Sequence, residues 1–231
     1  MWAYTVELAK RERPLVAQHI VAIAALRTSM HSIYAIPPSY LAASFEAIRQ
    51  YADPLSDHIT ELTALYDYEV AEDTFSDQTT LNEWCNMRFL NRRVLDDVLS
   101  VRDMVIDKMN IHTSLASLDE QTRLDIRWIL ARAFFRHSAF LIKNSNDEQA
   151  RYRTIHGNVM ALLAANSMLN TGTHQWVIYD EFTLGQHPYL ETATAIDPEW
   201  IVVSWLVPCF LSRSYLLTLL IRISRSSSPI V

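Results

Sequence analysis

The arginines are the residues here with the widest range of possible chemistry, and they come in sets. Arg123, Arg127, Arg132 and Arg136 recur at spacings of four and five within one segment, close to one flank of a helix. Arg92 and Arg93 stand together ahead of a second apolar-periodic run. Such series suit phosphate or carboxylate partners, or simply a solvated helix surface. Catalytic groups are not assembled in the same way. The sequence has no GxxxxGKS or GxxxxGKT phosphate loop, no GxGxxG, no HExxH and no GxSxG. The eight histidines are scattered, with no pair at metal-ligand spacing. Asp180 and Glu181 adjoin on a strand-like run, so they point to opposite faces and cannot act as paired carboxylates. Cys85 and Cys209 offer neither zinc spacing nor a disulfide framework, which fits a reducing compartment. No catalytic residue and no metal ligand is expected.

The elements that must carry these residues change character along the chain. With 231 residues, 50% hydrophobic and 20% charged, it can bury a sizeable core. Three glycines are few for an all-β protein. A net charge of -6 excludes a polybasic binder, so any nucleic-acid contact must be local. The start, MWAYTVELAKRERP, lacks the apolar core of a signal peptide. The apolar run Ile201–Ile223 is interrupted by Pro208, Arg213 and Arg222, too short for a span; no membrane contact is expected.

The first two-thirds read as helices. Pro14 opens one through LVAQHIVAIAALRTS, and Tyr40–Tyr51 resumes helical spacing after Pro37-Pro38. Pro54 opens a third, whose Asp57, Glu61, Asp67, Glu69, Glu72 and Asp73 read as a solvated acidic face. Ser76 or Asp77 caps the next segment. Phe89–Met109 reads as a long helix. Ser117 or Asp119 caps a helix running through Lys143, with Ile126, Ile129, Leu130, Ala133, Phe134 and Ala139 as its buried stripe. NSNDEQ then marks a boundary near 144–150. Beyond it the runs YRTIHGNVMALLA, QWVIYDEFTL and YLETATAI are β-like, the last two forming a hairpin around Gly185 and Pro188. Asp197-Pro198-Glu199 is a helix start. Trp176, Tyr179 and Trp200 are expected in the core, and His137 as an ordinary surface or core histidine.

The order of these segments resembles the C-terminal region of DEAH-box RNA helicases. "WVIYDEF" and "YLETATAIDPEWIV" resemble that family's Trp-Val-x-Tyr-x-Glu strand and its Tyr-Met-Arg-x-Val-Thr-x-Ile-Asp-Pro-x-Trp-Leu segment. "YRTI" matches the opening of its OB-fold. "DIRWILARAFFRHSA", "WCNMRFLNRRVLDDVLSVRDMV" and "SDQTTL" resemble its helical motifs, in the same order. Departures are a connection shortened to Asn82-Glu83, Ala164-Ala165-Asn166-Ser167 in place of His-Pro-x-Ser, and Gly185-Gln186-His187 in place of Thr-Thr/Ser-Lys. Pro208 and Phe210 are only a faint echo of the family's tail.

The resemblance implies an α+β chain: an N-terminal helical bundle, the family's ratchet, followed by a small antiparallel β-barrel, the OB-fold. Residues 1–37 would be the start of the bundle or the end of a winged-helix region, 38–148 the ratchet, 149–210 the OB-fold and 211–231 an irregular tail. The family's RecA motor, which binds ATP and Mg, has no counterpart, so no cofactor and no ATPase activity are expected of this chain. The implied partner is single-stranded RNA, in a nuclear or cytoplasmic setting, with splicing or ribosome assembly as context. Arg153 and Thr154 would meet RNA at the opening of the barrel, and Ser167 is the surviving hydroxyl of a second motif. Arg92, Arg93 and Arg127 would line one channel on the bundle. Two alternatives remain open: docking of G-patch-type activator proteins, and a degenerate fragment without independent activity.

Overall fold

The computed structural model describes residues 1–111, 115–142, 150–171 and 174–206. The polar loop near 144–149, Pro208, Phe210, Cys209 and the tail lie outside the described residues. Among the described residues seven α-helices precede the strands: α1 (Trp2–Glu12), α2 (Ala17–Thr28), α3 (Leu41–Arg49), α4 (Asp57–Thr74), α5 (Gln78–Met87), α6 (Arg92–Lys108) and α7 (Glu120–Ala133). Five strands follow, β1 (Ser138–Ile142), β2 (Arg151–Thr154), β3 (Met160–Leu163), β4 (Trp176–Leu184) and β5 (Pro188–Ala195), and then α8 (Pro198–Leu206). The fold is α+β, a helical bundle followed by a closed five-stranded barrel.

Local chemistry starts most of these helices. Pro14 opens a 3-10 turn that feeds α2. Ser56, Asp77, Asn91 and Asp119 each accept the N–H three residues on, capping α4, α5, α6 and α7. At α8 the Asp197 carboxylate accepts the Glu199 N–H at 3.0 Å, as the Asp-Pro-Glu start requires. The bundle core gathers on α2, where Ile20, Val21, Ala22 and Ile23 are all buried. That helix is therefore the one the others wrap.

Two expectations fail here. The helix expected to run through Lys143 ends at Ala133, and Ser138–Ile142 is the first barrel strand. Its apolar residues continue the helical stripe of α7, and so short a run, four apolar residues after Ser138, has no periodicity of its own to separate helix from strand. Ala139 is buried, but in the barrel core rather than the bundle. The barrel thus takes its first strand from upstream of the polar loop. The second failure is the first half of the acidic face of α4: Asp57 is buried and Glu61 largely so, whereas Glu72 and Asp73 are exposed as expected.

The barrel closes in the order β1-β2-β3-β5-β4. Its pairings are antiparallel except β3 with β5, where Leu162 meets Tyr189 and Leu163 meets Leu190 in parallel. That single parallel pair lets the β4–β5 hairpin return to the sheet and close it. Alanines 139, 161, 193 and 195 line the interior, leaving room for Tyr152, whose hydroxyl donates to the His174 carbonyl at 2.9 Å. Tyr179 is core as expected, stacked on His137 at 5.3 Å. Trp176 and Trp200 are half-buried against the bundle core.

Candidate nucleic-acid interface

The barrel has two faces with opposite chemistry. The first packs on the bundle and is held by α4. Asp57, in the first turn of α4, reaches across to accept three hydrogen bonds from the barrel region. They come from the Ser167 hydroxyl at 2.7 Å, the Met168 N–H at 2.8 Å and the Ala193 N–H at 2.8 Å. The Ala193 N–H leaves the strand ladder because Thr192, in mid-strand, adopts φ +50, a costly conformation for a β-branched residue. Burial pushes the Asp57 carboxyl up to about 6, against the three donors and Arg27. One residue further, His58 Nδ1 meets the Thr194 hydroxyl at 2.8 Å, which also meets Ser56 at 2.7 Å. Burial drives that imidazole down to about 3, so it is neutral.

Arg27 of α2 is the second tie. Its Nε donates to Asp180 at 2.8 Å, and its Nη1 lies 3.3 Å from Glu61. Glu181 follows at 3.7 Å. Burial works against the guanidinium, but Glu61, Asp180 and Glu181 outweigh it and hold the proton more tightly than usual. Asp180 and Glu181, expected on opposite faces, both lie within ion-pair range of one arginine. The third tie is Arg127 of α7, whose Nε donates to the Ala195 carbonyl at 2.9 Å and whose guanidinium lies over Trp200 at 5.5 Å. Arg123 pairs with Asp53 at 2.7 Å and Arg132 with Glu12. The periodic α7 arginines thus include three drawn into intramolecular contacts.

The second face is the outside of the β1–β2–β3 sheet, which runs at its β4 edge into Trp176, packed on the bundle core. Along β2 burial alternates, with Tyr152 and Thr154 inside and Arg151 and Arg153 outside. Arg153 stands opposite Phe140 of β1 and Met160 of β3; Arg151 stands opposite Ile142 and Leu162. Phe140 is also opposite Trp176, their rings 5.4 Å apart and tilted. Among the described residues no carboxylate is in salt-bridge range of the half-buried Arg153, and its Nε is buried without a hydrogen-bond partner. A cation held on an apolar, aromatic sheet face is the arrangement that takes a phosphate while a base stacks beside it.

The six residues anticipated for RNA contact therefore separate. Arg153 lies on the outer face. Thr154 does not: its hydroxyl is turned inward, donating to the His156 carbonyl at 2.8 Å and accepting the Val159 N–H at 3.0 Å, which clasps the β2–β3 turn. Ser167 is buried on Asp57 and Arg127 is a seam residue. Arg92 and Arg93 line a different hollow, with Asn82, Asn86, Asn91 and Asp96. Arg92 bonds Asn82 at 2.8 Å and also Gln78, while Arg93 is exposed. Arg127 lines a separate hollow with Asp53, Asp119 and Arg123. What sequence reasoning missed is the company of Arg153: Phe140 was assigned to a helix, and only the strand register brings it alongside.

A closed five-stranded barrel joined β1-β2-β3-β5-β4 is consistent with an OB-fold. Residues 126–204 match the family model described as the oligonucleotide/oligosaccharide-binding (OB)-fold. The match begins inside α7 and ends inside α8, so it includes β1 and agrees with the observed strand limits. Among the described residues no group of three or more His, Cys, Asp or Glu is placed to hold a metal ion, and no helix is long and apolar enough to cross a membrane.

Proposed function

We propose that this chain binds single-stranded RNA on the outer β1–β2–β3 sheet, as the C-terminal accessory region of a DEAH-type helicase. In that reading its bundle and barrel hold the strand for a motor carried elsewhere. The observation that carries it is Arg153, which lacks a carboxylate partner among the described residues and is flanked by Phe140, Met160 and the Phe140–Trp176 ring pair. The OB-fold match supports an oligonucleotide ligand. The order of helical and barrel motifs supports the helicase context. The seam ties support a fixed bundle–barrel relationship that presents the outer sheet as a rigid platform.

The test is a titration of two unrelated single-stranded RNAs, by fluorescence anisotropy at several salt concentrations. Arg153→Ala should weaken both equally and reduce the salt slope by about 0.7 to 1, the signature of one lost phosphate contact. Undiminished binding by the variant would move the interface off this face. Failure of the parent to bind at low salt would leave protein docking as the better reading.

A further inference from the structure

The outer sheet carries an ordered grid of side chains. Strand register sets two rows across β1, β2 and β3: Phe140, Arg153 and Met160 in one, Ile142, Arg151 and Leu162 in the other. Their neighbours along the strands, Ala139, Tyr152, Ala161 and Leu163, belong to the barrel core, so the six side chains share the outer face. Both cations fall in the middle column, with an apolar side chain on either hand. Along β2 they are two residues apart, about 6.7 Å. That step is comparable with the one between successive phosphates of an extended single strand.

The chemistry of the grid is as telling as its spacing. Phe140, Ile142 and Leu162 carry no hydrogen-bonding side-chain atom, and Met160 only a weak thioether acceptor. The two arginines are the strong donors of the six, and phosphates claim them first, because charge-assisted bonds are the stronger kind. None of the six is then left for a ribose 2′-hydroxyl, the group by which a protein tells RNA from DNA at a given site. Bases fare better. Phe140 offers a ring and its neighbours offer apolar surface, which any base can use. An acidic peptide suits the grid less: the barrel is closed, so an extended peptide finds no strand edge to pair with.

We propose that the outer sheet binds a single polynucleotide strand without regard to its sugar, taking single-stranded DNA as well as RNA. The backbone runs along β2, with adjacent phosphates on Arg151 and Arg153. Bases lie over Phe140 and Ile142 on one side and over Met160 and Leu162 on the other. The grid is also indifferent to base identity, because it holds no fixed donor–acceptor pair for a base edge. This inference rests on the nucleic-acid reading above and widens its ligand class from RNA to either polymer.

The test uses the full chain and two oligomers of equal length, oligouridylate and oligodeoxyuridylate, which differ only in the 2′-hydroxyl. Binding is followed by fluorescence anisotropy at several salt concentrations. The two Kd values should agree within about twofold, whereas one hydrogen bond to each of two ribose hydroxyls would favour RNA about tenfold or more. Arg151→Ala and Arg153→Ala should each lower the salt slope by about 0.7 for both oligomers, and the double variant by about 1.4. Phe140→Leu should weaken both oligomers and leave the slope alone, which separates stacking from charge. A melting curve checks that each variant is folded. An RNA preference of about tenfold or more that still depends on Arg153 overturns the inference and leaves the RNA reading standing. Failure of both oligomers to bind, or their displacement by polyglutamate of equal charge, overturns both in favour of protein docking.

Discussion

Arg27, reaching β4 from α2, and Arg153, on β2, meet the same barrel in different company and show what separates its seam from its outer sheet. Arg27 enters from the bundle and is surrounded by Glu61, Asp180 and Glu181. Arg153 stands on the outer sheet between Phe140 and Met160, with no carboxylate in range among the described residues. On the seam the fold engages several polar groups at once. Asp57 takes three donors, Thr194 joins Ser56 and His58, and Arg127 holds a strand carbonyl. On the outer face the cation is left with apolar and aromatic neighbours. A charged group engaged by buried partners positions structure; one left on a sheet face is available to a ligand.

The strongest way to break this contrast is to remove Asp57. Asp57→Ala strands the Ser167 hydroxyl and the Met168 and Ala193 N–H groups, each costing about 1–3 kcal/mol when buried without a partner. It also leaves Thr192 strained without the bond that offsets it. Chemical denaturation should show a loss of about 3–5 kcal/mol. A loss under 1 kcal/mol would mean the seam is not held there.

A smaller effect sharpens the same point through pH. His58 is held neutral by burial, its pKa about 3 when folded against about 6.5 when unfolded. Between these values the unfolded chain binds the extra proton, so His58 makes stability fall as pH drops through 6.5 toward 3. Its share of that slope is about 1.4 kcal/mol per pH unit. His58→Gln should flatten the stability–pH curve by about that amount across pH 4–6, whatever it does to stability at pH 7. An unchanged slope would show that the histidine is reached by solvent and is not part of a dry seam.

Much of the fold was legible because its signals are local. The β4–β5 hairpin, the Asp197-Pro198 helix start and the caps at Asp77 and Asp119 each rest on residues within a few positions of one another. β1 was not legible, because its apolar residues prolong the stripe of α7 and only pairing with β2 and β4 makes them a strand. The site divided along the same line. The motif singles out Arg153, and the strand register places it beside Phe140 and Met160. Thr154 and Ser167 carry the same motif chemistry, but their hydroxyls are claimed by a turn and by a carboxylate 110 positions away in sequence. Asp57 and Glu61 looked like surface acids because a helix carries its charges on whichever side a distant partner waits, and nothing nearby in the sequence announces that partner.

The division between a structural seam and a ligand-binding outer sheet is tested most directly by backbone hydrogen exchange, with and without saturating single-stranded RNA at low salt. Protection is expected in residues 138–142, 151–154 and 160–163, with the first turn of α4 and residues 192–195 slow to exchange in both states. Protection appearing instead on α5 and α6 around Arg92 and Arg93, with the outer strands unchanged, would contradict the account.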